Sequence, residues 1–249
     1  MLRTLIVTSL TTLTLTSATA AFAGDADAFG SAHQVMISAD RLMPLFAYES
    51  QKETTNAGGQ TGSTTNTVTS VALVGNGLHE TTFYNLPRFA VDYTIIPNLT
   101  IGGSVYGFFT LGSSTTDASG GTSTSQDNTK ITIWGIAPRV GYIIPFSSAF
   151  AFWPRGGISF QSLATSTPDN NQPPQPQTTT NTNLTQWAVD LEPMFAWTPV
   201  THAAITFGGV IDIPLTGSNT SSNSANSVSV STDTTQFHFG VTAGLLIYL

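Results

Sequence analysis

"QFHFGVTAGLLIYL", residues 236–249, is the last stretch of the chain. Its bulkier apolar side chains fall on every second place: Phe237, Phe239, Val241, Ala243, Leu245, Ile247 and Leu249. Gln236, His238, Gly240, Thr242, Gly244, Leu246 and Tyr248 take the places between, small or polar but for Leu246 and Tyr248. Period-two alternation is the pattern of a β-strand with two unlike faces. A bare Leu at the terminus, on the apolar face, raises the question of what that face meets.

Working backwards, the same texture recurs. In "TNLTQWAVDLEPMFAWTPV", residues 182–200, Trp187, Val189, Leu191, Phe195 and Trp197 share one parity, and Gln186, Ala188, Asp190, Glu192 and Ala196 the other. In "HAAITFGGVIDI", residues 202–213, Ala203, Ile205, Phe207, Ile211 and Ile213 oppose His202, Thr206, Gly208 and Asp212. Across the chain this predicts eight strands, near 33–51, 82–96, 99–112, 130–144, 149–163, 183–198, 202–214 and 235–249. Three connectors are tight, at 96–98, 145–148 and 199–201; four are long, at about 52–81, 113–129, 164–182 and 215–234. Short turns at one end and long loops at the other are the layout of a transmembrane barrel, and eight strands suffice for closure, which removes the sheet edges. The expected fold class is all-β: an eight-stranded antiparallel up-and-down transmembrane β-barrel spanning residues 33–249.

Composition agrees. Only 8% of the 249 residues are charged and mean hydropathy is +0.11, yet Ser, Thr, Asn and Gly abound. No apolar run reaches the roughly 18 residues of a spanning helix. The faces distinguish lipid from lumen: one carries large aromatics and almost no charge, the other small residues and isolated charges. A soluble ligand-binding barrel would show the reverse, with Trp187, Phe207 and Phe239 inside and Asp190, Asp212 and His238 outside. Tyr93, Trp134, Tyr142, Phe150, Trp187 and Trp197 are candidates for interfacial girdles. Leu249 is then expected to face lipid.

The beginning of the chain reads as a secretory signal over residues 1–23: Arg3, a Thr-diluted apolar stretch, and "AFA" at 21–23 as the cleavage site. Residues 24–32 form a short segment before the barrel. The mature chain would hold six basic and fourteen acidic residues, a balance of −8, which argues against nucleic acid as a partner. Without cysteine there is neither disulfide, thiolate catalysis nor lipoprotein anchor. The expected location is the bacterial cell outer membrane, with outer-membrane lipid as the first partner.

The terminal "TAGLLIYL" resembles the C-terminal insertion signal of bacterial outer-membrane barrels, with Thr242, Gly244, Ile247 and Leu249 in its four defined places and Leu249 standing where a Phe is usual. The resemblance implies handover to the barrel-assembly machinery. The whole mature chain resembles the small OmpA/OmpX-type barrels, without a peptidoglycan-binding domain.

The inferred lumen face collects Arg88, Asp92, Arg139, Arg155, Asp190, Glu192 and Asp212. Counting from the tight turns sets Arg88 opposite Tyr106, brings Arg139 near Arg155, and makes Asp190 and Asp212 diagonal neighbours. Buried charges persist only when paired, so the expectation is an ion-pair network filling a narrow interior. Tyr106, His202 and His238 are further polar lumen candidates. Function then follows from the lumen. A blocked interior means a non-enzymatic barrel with an envelope-structural or surface-interaction role. The alternative is a narrow passive channel for small solutes, gated by that network. A lipid-modifying enzyme is the second alternative; it needs a Ser–His constellation on the lipid face, and none of the four His sits in one. No cofactor or metal site is predicted: His202 and His238 are expected at opposite ends of adjacent strands. The long Ser/Thr/Asn/Gly-rich loops are expected to be mobile and to be the place for any surface ligand, whose identity they do not indicate. The first differs in "VTSVALVGNGL", residues 68–78, whose Val68, Val71, Leu73 and Val74 are expected to fold over the barrel mouth or extend a strand, the alternative being a disordered tip.

Overall fold

The computed structural model describes residues 28–56, 63–73, 84, 86–110, 113–117, 123–169, 178–224 and 228–249. The proposed signal at 1–23 lies outside them.

The strands are β1 (Val35–Asn56), β2 (Ser63–Leu73), β3 (Arg88–Ile96), β4 (Leu99–Thr110), β5 (Ser113–Asp117), β6 (Ser123–Asp127), β7 (Lys130–Tyr142), β8 (Ile144–Ser147), β9 (Phe150–Asp169), β10 (Thr178–Val200), β11 (Ala203–Asn223) and β12 (Val228–Tyr248). Eight of them close a ring in which every neighbour is antiparallel: β1, β3, β4, β7, β9, β10, β11, β12 and back to β1. The seam joins the two ends of the barrel sequence. Met36 pairs with Tyr248 and Ile37 with Ile247, and Val35 and Leu249 exchange both backbone hydrogen bonds at 2.9 Å. The terminal residue therefore completes a ladder, and its exposed side chain points away from the lumen.

At the tight-turn end, Ile96 pairs with Leu99 and Val200 with Ala203. Asn98 and His202 take positive φ there, 70° and 66°, a conformation Asn tolerates better than most residues. At the other end the structure departs from the expected loops. The hairpins β9–β10 and β11–β12 continue as paired strands through 164–169, 178–182, 215–223 and 228–234. The first long loop contributes β2, which pairs with β1, and the second contains the hairpin β5–β6. β2 holds Val68, Val71 and Leu73, the apolar residues that offered a strand extension in the first loop. The other segments are mostly polar on both faces, so little alternation announces them, while their Thr content favours extended backbone.

Below the charged level the lumen is filled by an apolar cluster of Met36, Ile143, Ala151, Trp153, Ala204, Leu246 and Tyr248. Residues 28–34 lie across this end. Phe29 packs edge-on to Trp153, centroids 5.8 Å apart. The Asn98 N–H donates to the Gly30 carbonyl (2.8 Å) and the His33 N–H to the Thr94 carbonyl (2.7 Å). Gly30 sits at φ 97°, where a Cβ would also come within 2.8 Å of the Asn98 side-chain oxygen, so the segment needs a glycine there.

Candidate functional site: a charged lumen between two closures

The site begins with an irregularity in β1. Its register against β12 shifts between Ala39 and Met43 and again between Pro44 and Phe46, and Arg41 takes a positive φ of 54°. This bulge turns two consecutive residues, Asp40 and Arg41, into the lumen, while Leu42 and Met43 are left exposed. Pro44 fits such a break because it has no N–H to contribute to the ladder. Strict alternation sends Asp40 and Arg41 to opposite faces, and for that reason sequence reasoning missed both. The available signal was an adjacent charged pair close to a proline, in a strand whose other face has to be charge-free.

Four guanidinium groups and five carboxylates meet at this level, none more than 6% exposed. Arg41 forms a two-pronged contact with Asp212 (2.9 and 3.0 Å) and reaches Glu192 (2.9 Å). Arg139 grips Asp92 through Nε and Nη2 and extends Nη1 to Asp40 (2.6 Å) and Glu192 (3.3 Å). Arg155 bridges the same two acids, Asp40 at 3.2 Å and Glu192 at 2.8 Å. Glu192 is thus a hub for three arginines. Arg88 pairs with Asp190 (3.1 Å), whose second oxygen accepts from the Ser159 hydroxyl (2.7 Å). Contacts of cations over rings complete the packing: Arg88 stands 4.5 Å above Tyr106 and Arg155 4.6 Å from Trp153. Tyr106 lies flat against Gly135, where any Cβ would collide with the ring.

The seven predicted network residues, Arg88, Asp92, Arg139, Arg155, Asp190, Glu192 and Asp212, are therefore brought together, and Tyr106 joins them. Two details differ from expectation. Asp190 and Asp212 are directly opposite rather than diagonal, because the β10–β11 register slips by a residue near the turn, between Trp197 and Val200. His202 is not in the lumen. It occupies the exposed turn, with Nδ1 2.9 Å from the Tyr248 carbonyl oxygen.

His238 is buried, its Nδ1 2.8 Å from Asp212 and its ring stacked on Tyr84 at 4.9 Å. A His–Asp pair is a familiar half of a hydrolytic site. Here the ring is 1% exposed and its acid is already held by Arg41, an arrangement that fixes the ring in place. Above it, Tyr84 enters from outside the strands. Its hydroxyl donates to the Gln236 carbonyl (2.8 Å) and accepts from Gln186; Tyr106 donates to Gln161 (2.8 Å). A second apolar cluster, Tyr106, Ile133, Leu163 and Leu184 with Leu86 and Ile131 against it, adjoins this layer. Beside the arginines there remains a cavity of about 10 Å³, room for roughly one water.

The exterior is that of a membrane-spanning barrel. Trp134, Phe160 and Trp187 form one aromatic group, centroids 5.2 and 5.0 Å apart. Tyr93, Tyr142 and Trp197, all exposed, lie toward the tight-turn end. Phe150 is half-buried in a ring cluster with Phe146, Phe195 and Phe207. Between the two levels the outward residues are apolar, including Ile136, Ile158, Leu191, Phe207 and Phe239. From Trp187 to Trp197 is ~33 Å along the strand, or ~25 Å across the bilayer at a tilt of about 40°. That is the height of the apolar band such barrels present to lipid.

No protein-family model matches the chain, and no curated protein matches it in sequence. Among solved structures it is similar to the outer membrane protein OprG from Pseudomonas aeruginosa, at 11% identity and TM-score 0.47, over 89% of this chain and 99% of that one. It is similar to a major outer membrane protein from Thermus thermophilus, at 11% identity and TM-score 0.46, over 84% and 100%. The outer membrane protease OmpT from Escherichia coli is more distant, at 9% identity and TM-score 0.40, over 90% and 98%. At such values the reading of this chain rests on its own geometry: an eight-stranded transmembrane β-barrel with a charged, filled lumen.

Proposed function

We propose that the chain is a bacterial outer-membrane barrel of OmpA/OmpX-like layout whose lumen is sealed and whose role is non-enzymatic. It holds its place in the envelope and presents its polar hairpins outside. The observation that carries this reading is the Glu192 hub: three arginines converge on one carboxylate, with an apolar cluster below and an apolar, amide-lined layer above. From Trp187 to Thr178 the β9–β10 hairpin runs another ~30 Å, enough to stand clear of the lipid headgroups. Insertion would proceed through the last strand, on which Thr242 and Gly244 face inward and Ile247 and Leu249 outward. The purified barrel inserted into planar bilayers should show no unitary conductance; regular ohmic steps would refute the sealed lumen.

One observation favours the channel reading. Nε and Nη2 of Arg88 have no hydrogen-bond partner among the described residues, and Arg88 lines the small cavity. A guanidinium with free donors has somewhere to move when partners exchange. On that reading Arg139→Ala or Arg155→Ala raises conductance, and unchanged near-zero conductance in both dismisses a gate.

A further inference from the structure

The outward face of four neighbouring strands changes character abruptly above the aromatic level. Cross-strand pairing arranges it in rungs. The lowest is Ile136, Phe160, Trp187 and Thr216. The next is Trp134, Ser162, Thr185 and Ser218. Then come Thr132, Ala164, Asn183 and Thr220, followed by Lys130, Ser166, Asn181 and Ser222. Lys130, Thr132, Ala164, Asn181 and Asn183 are exposed, in phase with exposed Trp134 and Trp187. The upper two rungs, with Thr165 and Thr182 between them, line a trough of about 380 Å³. Small Ala164 lies at its centre, and the walls are hydroxyls and carboxamides with one ammonium group.

This surface looks toward the membrane, so its occupant is whatever lies beside the barrel at headgroup height. A glycerophospholipid offers few hydrogen-bonding groups there. A sugar offers a ring of hydroxyls that both donate and accept, as the Ser, Thr and Asn side chains do. Lys130 complements a phosphate or carboxylate on that sugar, and the rings of Trp134, Phe160 and Trp187 meet the boundary between headgroup and acyl chains. We propose that this trough binds the phosphorylated sugar headgroup of an outer-leaflet glycolipid. The proposal rests on the outer-membrane reading above and is independent of whether the lumen conducts.

Trp134 and Trp187 report on the site. The purified barrel, in an amine-oxide detergent that carries no sugar, is titrated with deep-rough lipopolysaccharide and separately with phosphatidylglycerol, following tryptophan emission. The expected result is a saturable change with lipopolysaccharide, at least tenfold weaker with phosphatidylglycerol. Ala164→Phe, which fills the trough, should weaken binding tenfold or more, and Lys130→Gln several-fold for phosphorylated glycolipid alone. Heat-dependent gel migration shows that each variant is folded, and Thr220→Leu replaces Ala164→Phe should that one fail. An equal response to phosphatidylglycerol, no response to lipopolysaccharide, or unaltered binding by the filled variant overturns the proposal. None of these outcomes bears on conductance, which tests the sealed lumen separately.

Discussion

Replacing Arg139 with Met removes a guanidinium while keeping most of the apolar stem, and the consequence falls unequally on its three partners. Asp40 retains Arg155, and Glu192 retains Arg41 and Arg155. Asp92, 1% exposed, has no other ion-pair partner among the described residues. It becomes a buried carboxylate with its two strongest hydrogen bonds gone. Breaking a buried pair from one side costs about 3–5 kcal/mol, and here nearly all of that is the stranded charge. Arg139→Met should therefore destabilise the barrel by ~3–5 kcal/mol. The double variant Arg139→Met, Asp92→Asn should recover about 2–3 kcal/mol of it, a coupling well above the additive expectation. Arg155→Met is the contrast: both its acids keep another arginine, so its cost should be lower by about 1–2 kcal/mol. The assay is reversible urea unfolding in lipid vesicles, read by the fraction of heat-modifiable band. A single variant within about 0.5 kcal/mol of the parent, or a double variant whose effects add, would refute the pairing.

The remaining predictions test the other walls. Leu191→Arg, in the middle of the apolar band, should cost ~2–4 kcal/mol, whereas Ser231→Arg on the exposed hairpin should cost under about 1 kcal/mol. Phe29→Ala removes a ring from the lower cluster and should cost about 1–3 kcal/mol without producing conductance, since the charged level above still closes the lumen. Gly135→Val drives a side chain into the Tyr106 ring; overpacking of this kind costs about 1–3 kcal/mol, visible as a lower midpoint in the same unfolding assay.

What could be read in advance depended on how strictly each strand alternates. β10 and β12 keep one phase through the membrane, so Asp190, Glu192 and His238 could be assigned inward and Trp187, Trp197 and Phe239 outward from parity alone. The ring of eight followed from counting such segments and their turns. β1 defeats the same reasoning, because its bulge reverses phase at Arg41 and hides Asp40 and Arg41, which supply two of the network's nine charged groups. His202 was misplaced for a related reason: phase says nothing once the backbone enters a turn at positive φ. The polar extensions of β9 to β12 were invisible because Thr, Ser and Asn on both faces leave no contrast to read. Their pairing comes from the strands already aligned beneath them, which is a tertiary cause. β11 adds a second phase change between Asp212 and Ser218, and this places Thr216, Ser218, Thr220 and Ser222 on the outward face that forms the trough.

The assignment of inside and outside is tested most directly by the tryptophans. The chain has four: Trp134, Trp187 and Trp197 are about half exposed on the barrel exterior, and Trp153 is fully buried in the lumen. Two forms would be inserted into vesicles containing brominated phospholipid, one retaining only Trp153 and one with Trp153 alone replaced by Phe. Strong quenching of the three outer tryptophans, with Trp153 shielded from both brominated lipid and aqueous iodide, is the predicted result. Quenching of Trp153 by lipid, or outer tryptophans open to iodide and untouched by lipid, would contradict it.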